Sequence, residues 1–387
     1  MKYGLIVYPE SDNLGDHILS YAAIRFLPRI DYIVDREHLD TFCPDEKELV
    51  AVIMNGWYLY NKFNWPPSPY LNPLILGTHF SDNVMWGIKD QYLDGEGSNY
   101  LKTHGPVGCR DVSTREKMET RDIPSYFSGC LTLTLKQFPD AVKHNKIVLV
   151  DIPDMLKQKV QAENRQDEVA VISHHIDLNE RYTSWEKQKA AVEKNLRFYQ
   201  GARLVITSRL HCALPCLALG TPVILITNDS EDFARRMGTY TPYLHCYTAE
   251  SFMKEKFDWL CPAPNSDKFH TLRDALIKTC TDFMIDAEAG KENKAAFLPE
   301  VQEFRAVWKN KIEWQNCLLN QDTITMGRAY YDELISANRW LGEQYQHLTQ
   351  RIADLEGWVK ELEQGKAWLE QHAAEQEKYI QELKHAR

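Results

Sequence analysis

No run in this 387-residue chain reaches the roughly 18 consecutive apolar side chains that a membrane-spanning helix needs. Nor does a basic leader with a cleavage site precede the first apolar strand, which starts at Lys2. Neither a signal peptide nor a transmembrane segment is expected. Positive charge is also in deficit: Lys and Arg number 45 against 55 Asp and Glu, a net charge of -10. A nucleic-acid partner would want a basic stripe, so none is expected. A small anion held by a local arginine cluster stays compatible with that balance. The nine cysteines are odd in number and lack paired spacing. Cys212 and Cys216 share a helix face, but no second pair of ligands accompanies them. Buried thiols in a reducing cytosol are therefore expected, and no metal site.

What is present is a foldable body. Hydrophobic residues make up 44% and charged residues 26%, enough for a sizeable core, and the length suits two or three domains. The most informative stretch is LVITSRLHCALPCLALGTPVILIT, residues 204–227. Leu204 to Thr207 reads as a buried strand. Ser208 is placed to cap a helix carrying Leu210, Ala213, Leu214, Leu217 and Ala218 on one apolar face. Gly220 ends that helix, Pro222 prevents its continuation, and Val223 to Ile226 is a second strand. A strand–helix–strand unit of this length is a parallel crossover. Ligands of such sheets gather beyond the carboxyl ends of the strands, here at Ser208, Arg209 and His211. A guanidinium fork, an imidazole and a helix N-terminus make a seat for phosphate or carboxylate. The plainer alternative is a surface or ion-paired arginine and a satisfied surface or core histidine.

Strands and helices alternate from the first residue, which predicts an α/β fold with parallel, doubly wound sheets. After the strand Lys2 to Tyr8, Asn13, Gly15 and Asp16 form a turn into an amphipathic helix. Gly15 lets the backbone come close to a ligand. Asp16 suits the positive end of the helix dipole, and a simple cap is the rival reading. Strands follow at Ile30–Asp35, Leu49–Met54 and Leu74–Phe80. Gly56 again suggests close approach of backbone to something. Trp65-Pro66-Pro67-Ser68-Pro69 is a rigid loop that could shape a substrate rim or only connect elements. Arg110 and Asp111 follow a short strand at 106–109, and Ser113 or Thr114 caps the next helix. SGCLTLTL, within 126–135, reads as β-rich. A second α/β unit begins near residue 146, with His174, His175 and Asp177 after a strand at 169–173. Adjacent strand residues point to opposite faces, so at most one of the two histidines faces a shared site. Arg235 and Arg236 lie on a helix near residues 232–237.

From about residue 291 the chain becomes helical and charged. Leu341, Leu348, Leu355, Leu362 and Leu369 recur every seventh residue, and Leu383 resumes the series after Gln376. Tyr345, Ile352, Val359 and Ile380 occupy the alternate seam, with Lys366 at one of its positions. Leu at d with β-branched residues at a favours a parallel two-stranded coiled coil. A single long helix packed on the body is the rival reading.

The turn at Asn13-Leu14-Gly15-Asp16, the GCRD turn at 108–111, and above all SRLH at 208–211 with its trailing ALGTPVI resemble the polysaccharide pyruvyl transferases. The resemblance spans roughly residues 1–290. It departs from the family where a Gly-rich turn usually follows the mid-domain strand; here the residues are Asn55-Gly56-Trp57. The resemblance implies two Rossmann-like domains facing a cleft, similar to the GT-B arrangement. The expected order is 1–140 on the acceptor side, 146–290 on the phosphoenolpyruvate side, a helical connector at 291–334 and a coiled coil at 335–387.

It also implies transfer of a pyruvyl group from phosphoenolpyruvate to a hydroxyl pair of a cell-surface polysaccharide or its precursor, forming a ketal and releasing phosphate. No cofactor beyond that co-substrate is expected. Expected partners are a glycan or lipid-linked oligosaccharide acceptor and a second copy through the coiled coil. The expected location is cytoplasmic, at or near the inner membrane face. On this reading Arg209 and Arg110 bind the donor, with Arg235 or Arg236 in reserve. Ser208, Asn13, Gly15 and Asn55 are further binding candidates. His211 is the acid, and Asp16 the base with His175 as its alternative. A nucleotide-sugar-dependent glycosyltransferase and a coiled-coil scaffold with an inactive α/β binding module are the competing functions.

Overall fold

Two parallel sheets carry the first 250 residues of the computed structural model, which describes residues 1–9, 11–58, 65–80, 93–176, 184–228, 230–293 and 324–385. The first half runs β1 (Lys2–Val7), α1 (Leu14–Ile24), β2 (Tyr32–Asp35), β3 (Val50–Tyr58), β4 (Leu71–Phe80), α2 (Glu96–His104), β5 (Val107–Cys109), α3 (Val112–Glu119) and β6 (Ser125–Phe127). The second runs β7 (Ile147–Val150), α4 (Asp154–Glu163), β8 (Val169–Ile172), α5 (Trp185–Gly201), β9 (Leu204–Thr207), α6 (Leu210–Leu219), β10 (Val223–Thr227), α7 (Glu231–Met237) and β11 (His245–Thr248). Then come α8 (Ala249–Lys254), α9 (His270–Glu288) and α10 (Ile324–His385). Asp177 and most of the expected connector lie outside the described residues.

Strand order is β2-β1-β3-β4-β5-β6 in the first sheet and β11-β10-β9-β7-β8 in the second, every pairing parallel. Both sheets are buried on both faces, which is why their strands read as continuous apolar runs. One apolar cluster joins Leu5 and Ile53 of the first sheet to Val148 and Val205 of the second, through Ile18 of α1, Leu196 of α5, Leu214 of α6 and Leu276 of α9. The outer face of each sheet has its own smaller cluster. Sharing the middle cluster makes the two halves one compact unit, Met1–Ile312; Glu313–Arg387 forms a second.

Local chemistry departs from the sequence expectation at several points. Asn13, not Asp16, caps α1, its Oδ1 accepting from Gly15 N at 3.0 Å. Asp111 rather than Ser113 or Thr114 caps α3, accepting from Thr114 N at 2.8 Å. Arg209 occupies the cap position of α6 with no side-chain cap bond, because the Ser208 hydroxyl instead donates to the Asp151 carbonyl at 2.5 Å. SGCLTLTL, residues 128–135, forms no strand; β6 ends at Phe127, just before it. Leu131–Thr134 is a 3-10 turn, driven there by packing of Leu131 and Leu133 into the middle cluster. The Trp65 loop shapes no rim. Trp65 packs edge-on against Phe80 and Tyr100 within the outer cluster, and Ser68 is wholly buried. Gly220 ends α6 as expected, at φ 75°.

Among the described residues, no helix is long and apolar enough to cross a membrane. In the second unit, α10 runs for 62 residues, and Leu348, Ile352, Leu355, Val359, Leu362 and Leu369 stand exposed along it.

Candidate active site

Strand order reverses at β1 in the first sheet and at β7 in the second. Crevices open beyond the carboxyl ends of the strands at such reversals. Both reversals lead to the same place. Asn13 and Asp16 follow β1, Trp57 ends β3, Arg110 and Asp111 follow β5, His174 follows β8, and Ser208, Arg209 and His211 follow β9. All of them, with Arg236 and Met237 at the end of α7, line one cavity of about 250 Å³. The two halves are stitched beside it. Residues Asn13 and His175 form an antiparallel bridge, Leu14 N donates to His174 O at 2.9 Å, and Ile176 N donates to Asp12 O at 2.7 Å.

The cavity is cationic. Arg110, Arg209 and Arg236 line it against two carboxylates, Asp16 and Asp111. Arg110 is buried, and its backbone carbonyl accepts from the Tyr240 hydroxyl at 2.8 Å. Arg209 is partly exposed; Nε donates to Asp151 Oδ2 at 2.9 Å and Nη2 donates to His175 Nε2 at 2.8 Å. Arg236 lies over the Trp57 ring, 4.9 Å from its centroid. Beside them is the N-terminus of α6, whose first N–H groups lack a capping side chain.

His211 meets Arg110: Nη1 donates to His211 Nε2 at 3.2 Å. Burial, with the charge of Arg110 beside it, pushes the imidazole pKa well below its ordinary value, so His211 is neutral in the free protein. An acid titrating near neutrality is what the chemistry asks for, and burial beside Arg110 holds His211 below that. Asp16 is buried, with Oδ2 accepting from Ser11 Oγ at 2.6 Å.

Several candidates have structural duties instead. Asn55 is buried and spends Nδ2 on the Leu19 carbonyl at 3.0 Å, away from the cavity. Gly56 has close company, but it is Tyr8: a Cβ there would fall 1.8 Å from the Tyr8 hydroxyl. Gly15 is likewise pressed by a side chain, since its Cβ would stand 2.8 Å from His211. His175 is half exposed and engaged by Arg209, while its neighbour His174 faces the cavity. Arg235 pairs with Glu116 outside the cavity, and only Arg236 enters it.

Other residues of the site escaped sequence reasoning. His79 and Asp111 form a buried pair at 2.6 Å. Burial lowers the His79 pKa despite its partner, whereas the Asp111 carboxyl, though buried, is held low by His79 and Arg110. Neutral His79 thus donates Nδ1–H to a carboxylate that stands 3.9 Å from Arg110 Nε. Asp151 carries a positive φ of 48° after β7. Burial opposes its ionisation, but the His174 N–H and Arg209 outweigh that and keep its carboxyl below the usual range. Arg36, buried, donates to the Trp57 carbonyl at 3.1 Å and lies over the Tyr8 ring. The one available signal was position, each of these residues lying at or just beyond a strand's carboxyl end. Among the described residues, no group of three or more His, Cys, Asp or Glu could hold a metal ion.

A cationic, histidine-bearing cavity thus lies where the two parallel sheets of an α/β protein meet. The polysaccharide pyruvyl transferase profile matches residues 13–230, more than half of the chain, and the protein belongs to that family. No curated protein sequence matches it. Among solved structures it is similar to a functionally uncharacterised protein from Klebsiella pneumoniae, at 13% identity and TM-score 0.40, covering 64% of this chain and 93% of that one. It is also similar to a UDP-N-acetylglucosamine 2-epimerase, at 11% identity and TM-score 0.36, covering 72% and 91%.

Proposed function

We propose that the chain transfers the pyruvyl group of phosphoenolpyruvate to a pair of hydroxyls on a cell-surface polysaccharide or its precursor. The observation carrying this reading is the set of three arginines around one cavity at the uncapped start of α6. Phosphoenolpyruvate has two anionic ends, a carboxylate and a phosphate, and guanidinium forks bind both. Arg110 and Arg209 hold the donor, and Arg236 assists from α7. The two halves act as a GT-B-like pair, the second carrying the donor and the first the acceptor.

Asp16 takes the proton of the first hydroxyl as its oxygen adds to the enol carbon. His211 gives a proton to the methylene, which becomes the methyl group. The second hydroxyl then displaces phosphate, its proton leaving with the phosphate, and yields the ketal. Because His211 is neutral before substrate arrives, the donor's negative charge must raise its pKa and bring the proton in. The residues call for no metal or other cofactor.

The exposed seam of α10 supports pairing with a second copy. Four of its e positions are Glu356, Glu363, Glu370 and Glu377, while g positions include Arg351 and His372. Antiparallel pairing would set glutamates against each other, whereas parallel pairing sets Arg351 against Glu356 of the second copy. We assign the chain to the cytoplasmic side, near the inner membrane face, where glycan precursors are assembled.

The test is a thermal shift with phosphoenolpyruvate beside one with a nucleoside diphosphate. Stabilisation by phosphoenolpyruvate that is lost in Arg209→Ala is expected, followed by phosphate release when acceptor glycans are added. Stabilisation by the nucleotide alone would move the protein to the glycosyltransferases.

A further inference from the structure

His174 is anchored on the cavity through both its backbone and its ring. Its backbone N–H donates to Asp151 Oδ2 at 3.1 Å, and its carbonyl accepts from Leu14 N, so both halves of the protein hold it. Its ring lies near-parallel to that of Tyr199, with Nδ1 in a 3.1 Å hydrogen bond to the Tyr199 hydroxyl. The residue is only 1% exposed, it lines the cavity, and its Nε2 has no partner among the described residues. A buried nitrogen left unpaired costs free energy unless a ligand meets it.

We propose that His174 Nε2 is a recognition point for a hydroxyl of the acceptor sugar. The inference rests on the pyruvyl transfer reading and names a group for the acceptor within it. A hydroxyl fits better than an anion for two reasons. The anionic donor already has three arginines on this cavity. The imidazole is also uncharged, since burial lowers its pKa to about 3. A neutral ring offers Nε2 as donor or acceptor according to tautomer, and a hydroxyl can answer either. Held by Tyr199 and by both halves, the ring is fixed in place, so a hydroxyl that meets Nε2 sets which hydroxyl pair is presented to the donor. His175, exposed and engaged by Arg209, has no such freedom.

The experiment uses the full chain, phosphoenolpyruvate, and a panel of methyl glycopyranosides as acceptors, with phosphate release as the readout. His174→Asn keeps an amide near Nδ1 and deletes Nε2; His174→Gln restores a polar atom close to Nε2. The expected result is an acceptor KM raised about tenfold or more in His174→Asn, partial recovery in His174→Gln, and an unchanged thermal shift with phosphoenolpyruvate in both. An unchanged acceptor KM in His174→Asn overturns the assignment. So does equal weakening of phosphoenolpyruvate and acceptor, which would mark a merely structural role. No phosphate release by the unsubstituted chain with any acceptor would overturn the pyruvyl transfer reading itself, and this assignment with it.

Discussion

Arg209 shares its guanidinium between Asp151 and His175 on the rim of a site that it also lines, so its geometry is fixed before any ligand arrives. Lysine keeps the charge but cannot reproduce the fork. Arg209→Lys is expected to raise the phosphoenolpyruvate KM by about 10- to 100-fold in a phosphate-release assay, as loss of a charge-assisted bond implies. His211 gives a proton-linked prediction. Burial and the charge of Arg110 hold its pKa well below the ordinary value, and an anion beside it must raise it. Binding of phosphoenolpyruvate should therefore take up a proton. Calorimetry in buffers of different ionisation enthalpy should show this for the unsubstituted chain and not for His211→Asn; identical heats in all buffers would remove His211 from the acid role.

His174 contributes to pH stability. Its folded pKa of about 3 lies below the unfolded value of 6.5, so the unfolded chain binds a proton in that window that the folded chain refuses. The contribution is complete above pH 6.5 and is lost as pH falls towards 3, at about 1.4 kcal/mol per pH unit. Denaturant titrations at pH 6.5 and 5 should differ by about 2 kcal/mol from this group alone, a difference that His174→Asn should shrink. At this scale Arg209 and His211 were legible because they sit in one short turn between two unmistakable elements. Asp151 and the His79–Asp111 pair were not, because residues distant in sequence meet only when strands align.

Elements were read from apolar periodicity, and most strands and helices lie where it placed them. Their caps were harder, because a hydroxyl near a helix start has rivals for its hydrogen bond. Ser208 looked like a cap for α6, yet the neighbouring strand offers it the Asp151 carbonyl. The same competition leaves the first N–H groups of α6 without a side-chain partner, which is what an anion site requires. The glycines at element ends give two contrasting tests. Gly15→Ala would drive a methyl to 2.8 Å from His211. Turnover should fall at least about tenfold, with thermal stability little changed if α1 moves as a unit. Gly56→Ala puts a methyl against the Tyr8 hydroxyl at a backbone φ of 148°. A stability loss of about 2 kcal/mol or more is expected on chemical denaturation, since strain and overpacking add.

For the whole molecule, the consequence to check is association. Leu355 and Leu362 are half to three-quarters exposed on α10, an apolar seam that single chains rarely leave uncovered. Sedimentation should show the full chain as a dimer. Leu355→Glu with Leu362→Glu should give a monomer whose far-ultraviolet signal loses helix, because a helix this polar on its other faces depends on its partner for burial. A monomeric full chain would refute pairing through the seam.

The amino-acid order by itself determined the alternation of strand and helix, the parallel sense of the sheets, the seven-residue spacing of the late leucines and the chemical character of the turn at residues 208–211. Each depends on neighbours within about a dozen residues, where periodicity and capping act. Only the tertiary structure decided that the two strand reversals open on one cavity. It likewise decided that His174 rather than His175 faces inward, that Arg236 rather than Arg235 joins the arginines, and that Gly15 and Gly56 make room for side chains. Those outcomes depend on which long-range surfaces pack together, and burial then sets both the protonation and the partners of every group it encloses.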